Sequence, residues 1–290
     1  MGQKKIQSVM VILNGGKADV GLVRAQLARI FKAHGVTAQW RKALAPSVSG
    51  RIARSDLSRE KVDMVLVGGG DGTMLETARR IMGSDVPLLG INLGSLGFLT
   101  SVRRDDLEQA VPKILAGHYR TSDRMALEVK VFRKRKLILK AWALNEAVVF
   151  RGAHAQMIGV NVLAGGEILS RYLCDGMIVS TPTGSTAYCL SAGGPILSPG
   201  TRALALVPIC AHALTNRPIV VEADEGISIQ IPLESPEMVL QTDGRPVGPL
   251  FGGDEVRFGP AAGLTRLVHL PEIGFYTILR QKLKWSGTNI

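Results

Sequence analysis

The stretch Val65-Leu66-Val67-Gly68-Gly69-Gly70-Asp71-Gly72-Thr73-Met74-Leu75-Glu76 constrains the fold more than any other part of the chain. An apolar run suited to a buried strand opens into glycines and then into a helix-forming segment. Thr73 followed by Glu76 reads as a capping box, so the helix is expected from Thr73 to Met82. Glycines at such a junction let the backbone approach a ligand closely. The N–H groups and the positive end of the helix then favour phosphate. A Walker loop is excluded because no lysine follows the glycines. The G-x-G-x-x-G spacing also fails, since counting from Gly68 reaches Thr73. What remains is a carboxylate, Asp71, inside a phosphate-type loop. Either it handles a proton or a metal in phosphoryl transfer, or it is an Asx-turn residue that stabilises the loop. On the loop alone these readings balance.

Around this junction the first ~118 residues alternate strand and helix, the pattern of a parallel sheet with helices on its faces. Strands are expected at Ser8–Leu13, Val62–Val67 and Pro87–Ile91. A helix over Val20–His34 carries Leu22, Leu27, Ile30 and Phe31 at helical spacing. After Tyr119 the period changes to two: Leu127, Val129 and Val131 alternate with Glu128 and Lys130. Gly165-Gly166 and Asp243-Gly244 read as hairpin turns. The expectation is a Rossmann-like α/β domain over 1–118 and a mostly antiparallel β-sandwich over 119–268. A last helical segment, within 269–290, packs back on the first domain.

A formal charge of +11 suits anionic ligands. The one dense basic run, Arg133 to Lys136, lies between alternating apolar segments and reads as a solvated hairpin tip. With no basic tail or zinc-finger spacing, nucleic acid is not the expected partner. The longest apolar stretch, Ala203 to Leu214, is interrupted by Pro208 and His212 and is too short to span a bilayer. Cys174, Cys189 and Cys210 form no C-x-x-C pair, which suits a reducing compartment and a cytoplasmic protein. The five histidines show no metal spacing, so no protein metal site is expected.

Two further segments carry polar chemistry. Asn145-Glu146 sets an amide beside a carboxylate, groups able to pair with a base edge and a ribose diol. From two residues alone, a polar strand end is the simpler reading. Asp175 to Pro195 is more distinctive: a short apolar strand, Met177 to Val179, leads into Ser180-Thr181-Pro182-Thr183-Gly184-Ser185-Thr186-Ala187-Tyr188. Such a density of hydroxyls and small residues can wrap a polar ligand, with Tyr188 available to stack on a base. A turn-rich corner is the structural alternative.

Gly69-Gly70-Asp71-Gly72-Thr73 resembles the signature shared by NAD kinases, diacylglycerol-type lipid kinases and phosphofructokinases. With Gly90 to Leu99, Asn145-Glu146, the long segment from Asp175, Pro208 to His212, Arg217-Pro218 and Leu283-Lys284-Trp285, the chain resembles the bacterial NAD kinase family from about residue 62 onward. The resemblance implies transfer of the γ-phosphate of ATP to the adenosine ribose 2′-hydroxyl of NAD, giving NADP. It implies Asp71 as proton acceptor, and Gly69, Gly70, Gly72 and Thr73 as the ATP phosphate cradle. It implies an NAD pocket of Asp71, Gly72, Leu75, Phe98, Asn145, Glu146, Asp175, Thr186, Ala187, Tyr188, Ser191 and Arg245. Mg²⁺ is expected to arrive on the ATP phosphates, and the assembly is expected to be a homo-oligomer, a dimer or tetramer. Leu173 stands where relatives often carry a basic residue, and Arg245 where many carry glutamine. The shared loop keeps a lipid or sugar kinase as the second reading, and a non-catalytic dinucleotide sensor as the third.

Overall fold

The computed structural model describes residues 5–16, 19–42, 61–94, 97–272 and 274–285. These divide into two compact units: the described residues up to 123 together with those from 265 onward, and residues 124–264.

The first unit holds β1 (Ser8–Leu13), α1 (Val20–His34), β2 (Thr37–Lys42), β3 (Met64–Gly69), α2 (Asp71–Ile81), β4 (Leu88–Asn92), β5 (Val102–Arg103) and α3 (Leu107–Leu115). All of its strand pairings are parallel: β1 lies between β2 and β3, and β4 joins β3 to β5. β1 and β3 are near-continuous apolar runs because helices cover both faces of such a sheet. β2 was not expected from the sequence. Its Thr-Ala-Gln-Trp-Arg-Lys pattern suits an edge strand that pairs only with β1 and is only half covered. α3, also unexpected, buries Leu107, Ala110, Val111, Ile114 and Leu115 along one stripe. In α1 the buried face is Val23, Leu27, Ile30 and Phe31, whereas Leu22, expected on that face, is 66% exposed. Gly35, at φ 66°, ends α1 by donating back to the last turn.

The helix after the glycines starts two residues earlier than the sequence suggests. Gly70 is the N-cap of α2 and Asp71 its first residue, and no side chain caps it. The capping box is not formed. The Thr73 hydroxyl accepts a hydrogen bond from Asn14 Nδ2 at 3.2 Å, and Glu76 pairs with Arg80 at 2.9 Å.

The second unit runs through β6 (Arg120–Arg133), β7 (Lys136–Ala143), β8 (Glu146–Phe150), β9 (Ile158–Ala164), β10 (Glu167–Cys174), β11 (Gly176–Ser180), α4 (Tyr188–Ser191), β12 (Ala203–Ile209), β13 (Ile219–Glu222), β14 (Ile227–Gln230), β15 (Met238–Thr242), β16 (Arg245–Leu250) and β17 (Glu255–His269). One six-stranded antiparallel sheet has the order β13-β12-β11-β8-β15-β16. Opposite it lie β10-β9-β14-β17, with β6 pairing β7 and β17. Leu127, Val129, Val160 and Ile229 from one sheet share a core with Val149, Met177, Leu204 and Leu240 from the other. This is a β-sandwich, and the alternation read at Leu127, Val129 and Val131 is its inward face. The basic run is the β6–β7 hairpin tip, with Lys134 and Arg135 both at positive φ. Gly165-Gly166 and Asp243-Gly244 turn their hairpins the same way.

The end of β17 returns to the first unit, where Leu267 pairs in parallel with Leu88. α5 (Phe275–Leu283) follows and buries Ile278 and Leu279. Among the described residues no helix is long and apolar enough to cross a membrane.

Candidate active site

In the first unit the glycine loop is the turn from the carboxyl end of β3 into α2. Its glycines fall into two groups. A Cβ on Gly69 would meet the Thr73 hydroxyl at 2.5 Å, and one on Gly68 would meet Leu13 Cδ2 at 2.5 Å. These two are required by packing. At Gly70 and Gly72 a Cβ would meet nothing within 4 Å. Their bareness leaves open space at the first turn of α2, where helix amides lack intrahelical acceptors. A phosphate group fits that space and that charge.

Asp71 is half-buried at the edge of the opening. The Phe98 N–H donates to its Oδ2 at 2.9 Å, and the Leu99 N–H to its Oδ1 at 3.1 Å. The carboxylate therefore holds the segment that follows β4 against the start of α2. That segment has no slack. A Cβ on Gly97 would lie 2.0 Å from Asp71 Oδ1, and one on Gly90 would lie 2.8 Å from the Leu99 carbonyl oxygen. A carboxylate has about four lone-pair sites, so Asp71 keeps acceptor capacity beyond these two bonds. Leu75, half-buried, lies one turn further along α2. Phe98 is half-buried too, with the Lys282 ammonium 5.7 Å from its ring centroid.

In the second unit Asn145 and Glu146 stand at the start of β8, both buried. Their backbone is fixed from two sides. Asp243, in the β15–β16 turn, accepts the N–H of Leu144 at 3.0 Å, of Asn145 at 2.7 Å and of Glu146 at 3.3 Å. In return the Asp243 N–H donates to the Glu146 carbonyl oxygen at 2.9 Å. From the hydroxyl-rich loop, the Thr181 N–H donates to the Asn145 carbonyl oxygen at 2.8 Å, and its hydroxyl to the Leu144 carbonyl oxygen at 2.6 Å. Gly184 is obligatory there, because a Cβ would sit 2.1 Å from the Asn145 carbonyl oxygen. Much of the serine and threonine density thus serves the loop itself. Ser185 bonds Pro182 and Leu197, while Thr186 bonds Thr183. Thr186 and Ala187 are half-buried, and Tyr188 and Ser191 on α4 are exposed. Asp175 is half-buried and ion-paired with Arg151 at 3.1 Å. Arg245, also half-buried, opens β16 directly after Asp243-Gly244.

The first unit therefore gathers Gly69, Gly70, Asp71, Gly72, Thr73, Leu75 and Phe98. The second gathers Asn145, Glu146, Asp175, Thr186, Ala187, Tyr188, Ser191 and Arg245. The sequence reading missed the residues that hold these groups in place: Asn14, Gly97, Thr181 and Asp243. Asp243 carried a signal as half of an Asp-Gly turn, but nothing marked its bonds to a segment 97–99 positions away.

A carboxylate-bearing glycine loop on the parallel sheet of the first unit, and a buried amide–carboxylate pair in the second, suit a kinase. Comparison with known proteins then gives the family. Residues 24–119 match the ATP-NAD kinase N-terminal domain, and residues 144–270 the ATP-NAD kinase C-terminal domain. An NAD kinase of Symbiobacterium thermophilum is 44% identical over 251 residues, covering 84% of this chain and 88% of that one. An NAD kinase of Citrifermentans bemidjiense is 40% identical over 273 residues, covering 91% and 93%. The chain belongs to the ATP-NAD kinase family. In fold it is similar to the crystal structure of a yeast NADH kinase complexed with NADH, with a TM-score of 0.83 at 23% identity, covering 99% of this chain and 90% of that one. It is also similar to an NAD kinase from Archaeoglobus fulgidus in complex with ATP, with a TM-score of 0.72 at 24% identity, covering 97% and 100%.

Proposed function

We propose that this chain transfers the γ-phosphate of ATP to the adenosine ribose 2′-hydroxyl of NAD, giving NADP and ADP. The observation that carries the reading is the pairing of Asp71 with the open positions at Gly70 and Gly72. Asp71 takes the proton of the 2′-hydroxyl as the new O–P bond forms, and the bond from the γ-phosphorus to the bridging oxygen breaks to release ADP. Gly69, Gly70, Gly72 and Thr73 receive the donor phosphates through backbone amides and a hydroxyl. Asn145 and Glu146 bind a nucleoside portion of NAD, with Asp175, Thr186, Ala187, Tyr188, Ser191 and Arg245 completing the pocket. In the first unit, Leu75 and Phe98 offer the substrate apolar surface beside the glycine loop.

Mg²⁺ fits this donor set as a companion of ATP. Both Asp71 oxygens already accept amide hydrogens, and among the described residues no three His, Cys, Asp or Glu side chains converge as a metal cluster. Its oxygen ligands would be phosphate and water, and its charge would offset that of the transferring phosphoryl group. The free thiols Cys174, Cys189 and Cys210 support a cytoplasmic location. Homo-oligomer formation, as a dimer or tetramer, is supported by the edge strand β10, which exposes Ile168 at 77% and Leu173 at 44%. Light scattering of the purified protein gives the assembly size.

The deciding experiment is NADP formation from NAD, ATP and Mg²⁺, read through an NADP-specific dehydrogenase. Turnover that disappears in a folded Asp71→Asn variant supports the reading. NAD binding without turnover favours a sensor, and no NAD binding favours a lipid or sugar kinase.

A further inference from the structure

The register of the parallel sheet sets three groups side by side at its carboxyl edge. Gly69 of the phosphate loop pairs with Asn92 of β4, and Asn92 pairs with Arg103 of β5. Adjacent strands lie about 4.8 Å apart, so Arg103 stands about 10 Å from the loop along one row. In open α/β sheets this edge is where ligands bind.

A cavity of about 510 Å³ lies at this edge, lined by Asn92, Leu93, Gly94, Arg103, Arg104 and Asp105. Its size falls in the range of small-molecule clefts. Its charges are not equivalent. Arg104 is committed, bonded to Asp19 through Nη1 at 2.5 Å and to Asp105 through Nε at 3.1 Å. Asp105 is bonded through Oδ1 alone, and Arg104 offsets its charge. Arg103 is exposed and makes no ion pair or hydrogen bond among the described residues. Asn92 is buried, and its Oδ1 accepts the Gly94 N–H at 2.8 Å, which leaves its NH₂ as the donor end. The charge left without a counterpart on this wall is that of Arg103, and Asn92 adds an amide donor.

We propose that this cavity is a subsite for the linked phosphates of the phosphoryl donor, beyond those held by the glycine loop, and that Arg103 is its anion contact. The inference rests on the kinase reading above. A guanidinium presents a fork of N–H donors that matches phosphate oxygens, and the row from Gly69 through Asn92 to Arg103 gives a chain of phosphates a continuous track. The chemistry recognised is a tri- or polyphosphate chain, supplied either by a nucleoside triphosphate or by inorganic polyphosphate.

The test compares the wild type, Arg103→Ala and Arg103→Glu, with Arg257→Ala in the second unit as a control. The KM for ATP rises about tenfold in Arg103→Ala, the low end for an exposed charged contact, and further in Arg103→Glu. Tripolyphosphate, used as an inhibitor against ATP, weakens in parallel if the phosphates alone are read. If ATP weakens and tripolyphosphate does not, the nucleoside end occupies the cavity and the proposal fails. An unchanged KM for ATP in both folded variants also overturns it. Should the wild type form no NADP, calorimetry of tripolyphosphate binding still decides. Loss of binding in Arg103→Glu supports the subsite, and equal binding in wild type and variant overturns it.

Discussion

In each unit an aspartate beside the candidate site residues gathers main-chain amides, and the two aspartates differ in where they stand. Asp71 holds the N–H groups of Phe98 and Leu99 and itself faces the open turn of α2. Asp243 holds the N–H groups of Leu144, Asn145 and Glu146 and so supports the pair proposed to bind the nucleoside. On the proposed reading, organisation and chemistry are joined in one side chain in the first unit. In the second they fall to different residues, so the support can be substituted without removing either member of the pair. The glycines show the same contrast. Gly70 and Gly72 are open toward a ligand, whereas Gly184 exists only to let Asn145 come close.

Substitutions can break or sharpen this comparison. The largest effect is expected from Asp71→Asn, which loses about 10²–10⁴-fold in turnover if proton acceptance is its task. A folded variant that keeps its kcat would reduce Asp71 to a brace like Asp243. Next comes Gly97→Ala, whose methyl would be driven into the Asp71 carboxylate. It should cost about 1–3 kcal/mol in denaturant unfolding, with activity lost alongside. Gly72→Ala meets open space and should cost no stability, while raising the KM for ATP. Equal unfolding midpoints for the two glycine variants would erase the division between packed and open glycines.

Asp243→Asn keeps the size of the side chain but turns one acceptor oxygen into a donor. The KM for NAD should rise about tenfold, with a smaller change in kcat and none in the KM for ATP. A fall in kcat alone would place Asp243 in the chemistry. Tyr188→Ala removes an exposed ring (42% exposed) and should raise the KM for NAD only a few-fold, in line with a stacking contact of about 1 kcal/mol. The smallest perturbation is chemical. All three cysteines belong to the second unit, and burial pushes the Cys174 and Cys189 thiols up to about 11, so both are neutral at pH 7.5. A thiol reagent at that pH should modify exposed Cys210 alone, with the other two reacting as the pH approaches 11. Modification of all three at pH 7.5 would mean that the sandwich opens.

The legible parts of this molecule were those written in local pattern. β1, β3 and β4 are apolar runs, and β6 alternates from Leu127 to Val131 before a charged tip. The strand-to-helix glycine loop was legible for the same reason. β2 escaped because an edge strand with one neighbour need not be apolar. The capping box misled because its two side chains found Asn14 and Arg80 instead. For the candidate site, the proposed ligand-binding residues stand in readable motifs, while their supports do not. A hydrogen bond from Leu144 to a turn 99 residues later has no signature in the order of residues.

The chain path has a consequence for how the protein is made. The second unit interrupts the first, which becomes whole only when the end of β17 adds Leu267 beside Leu88 and α5 buries Ile278 and Leu279. A ribosome therefore delivers every residue of the sandwich before the last strand of the parallel sheet. The sandwich can close while the earlier-made phosphate-binding unit still waits, with the Leu88 end of β4 lacking its β17 neighbour. A stop codon between residues 124 and 264 would leave the glycine loop translated in full but mounted on an unfinished sheet.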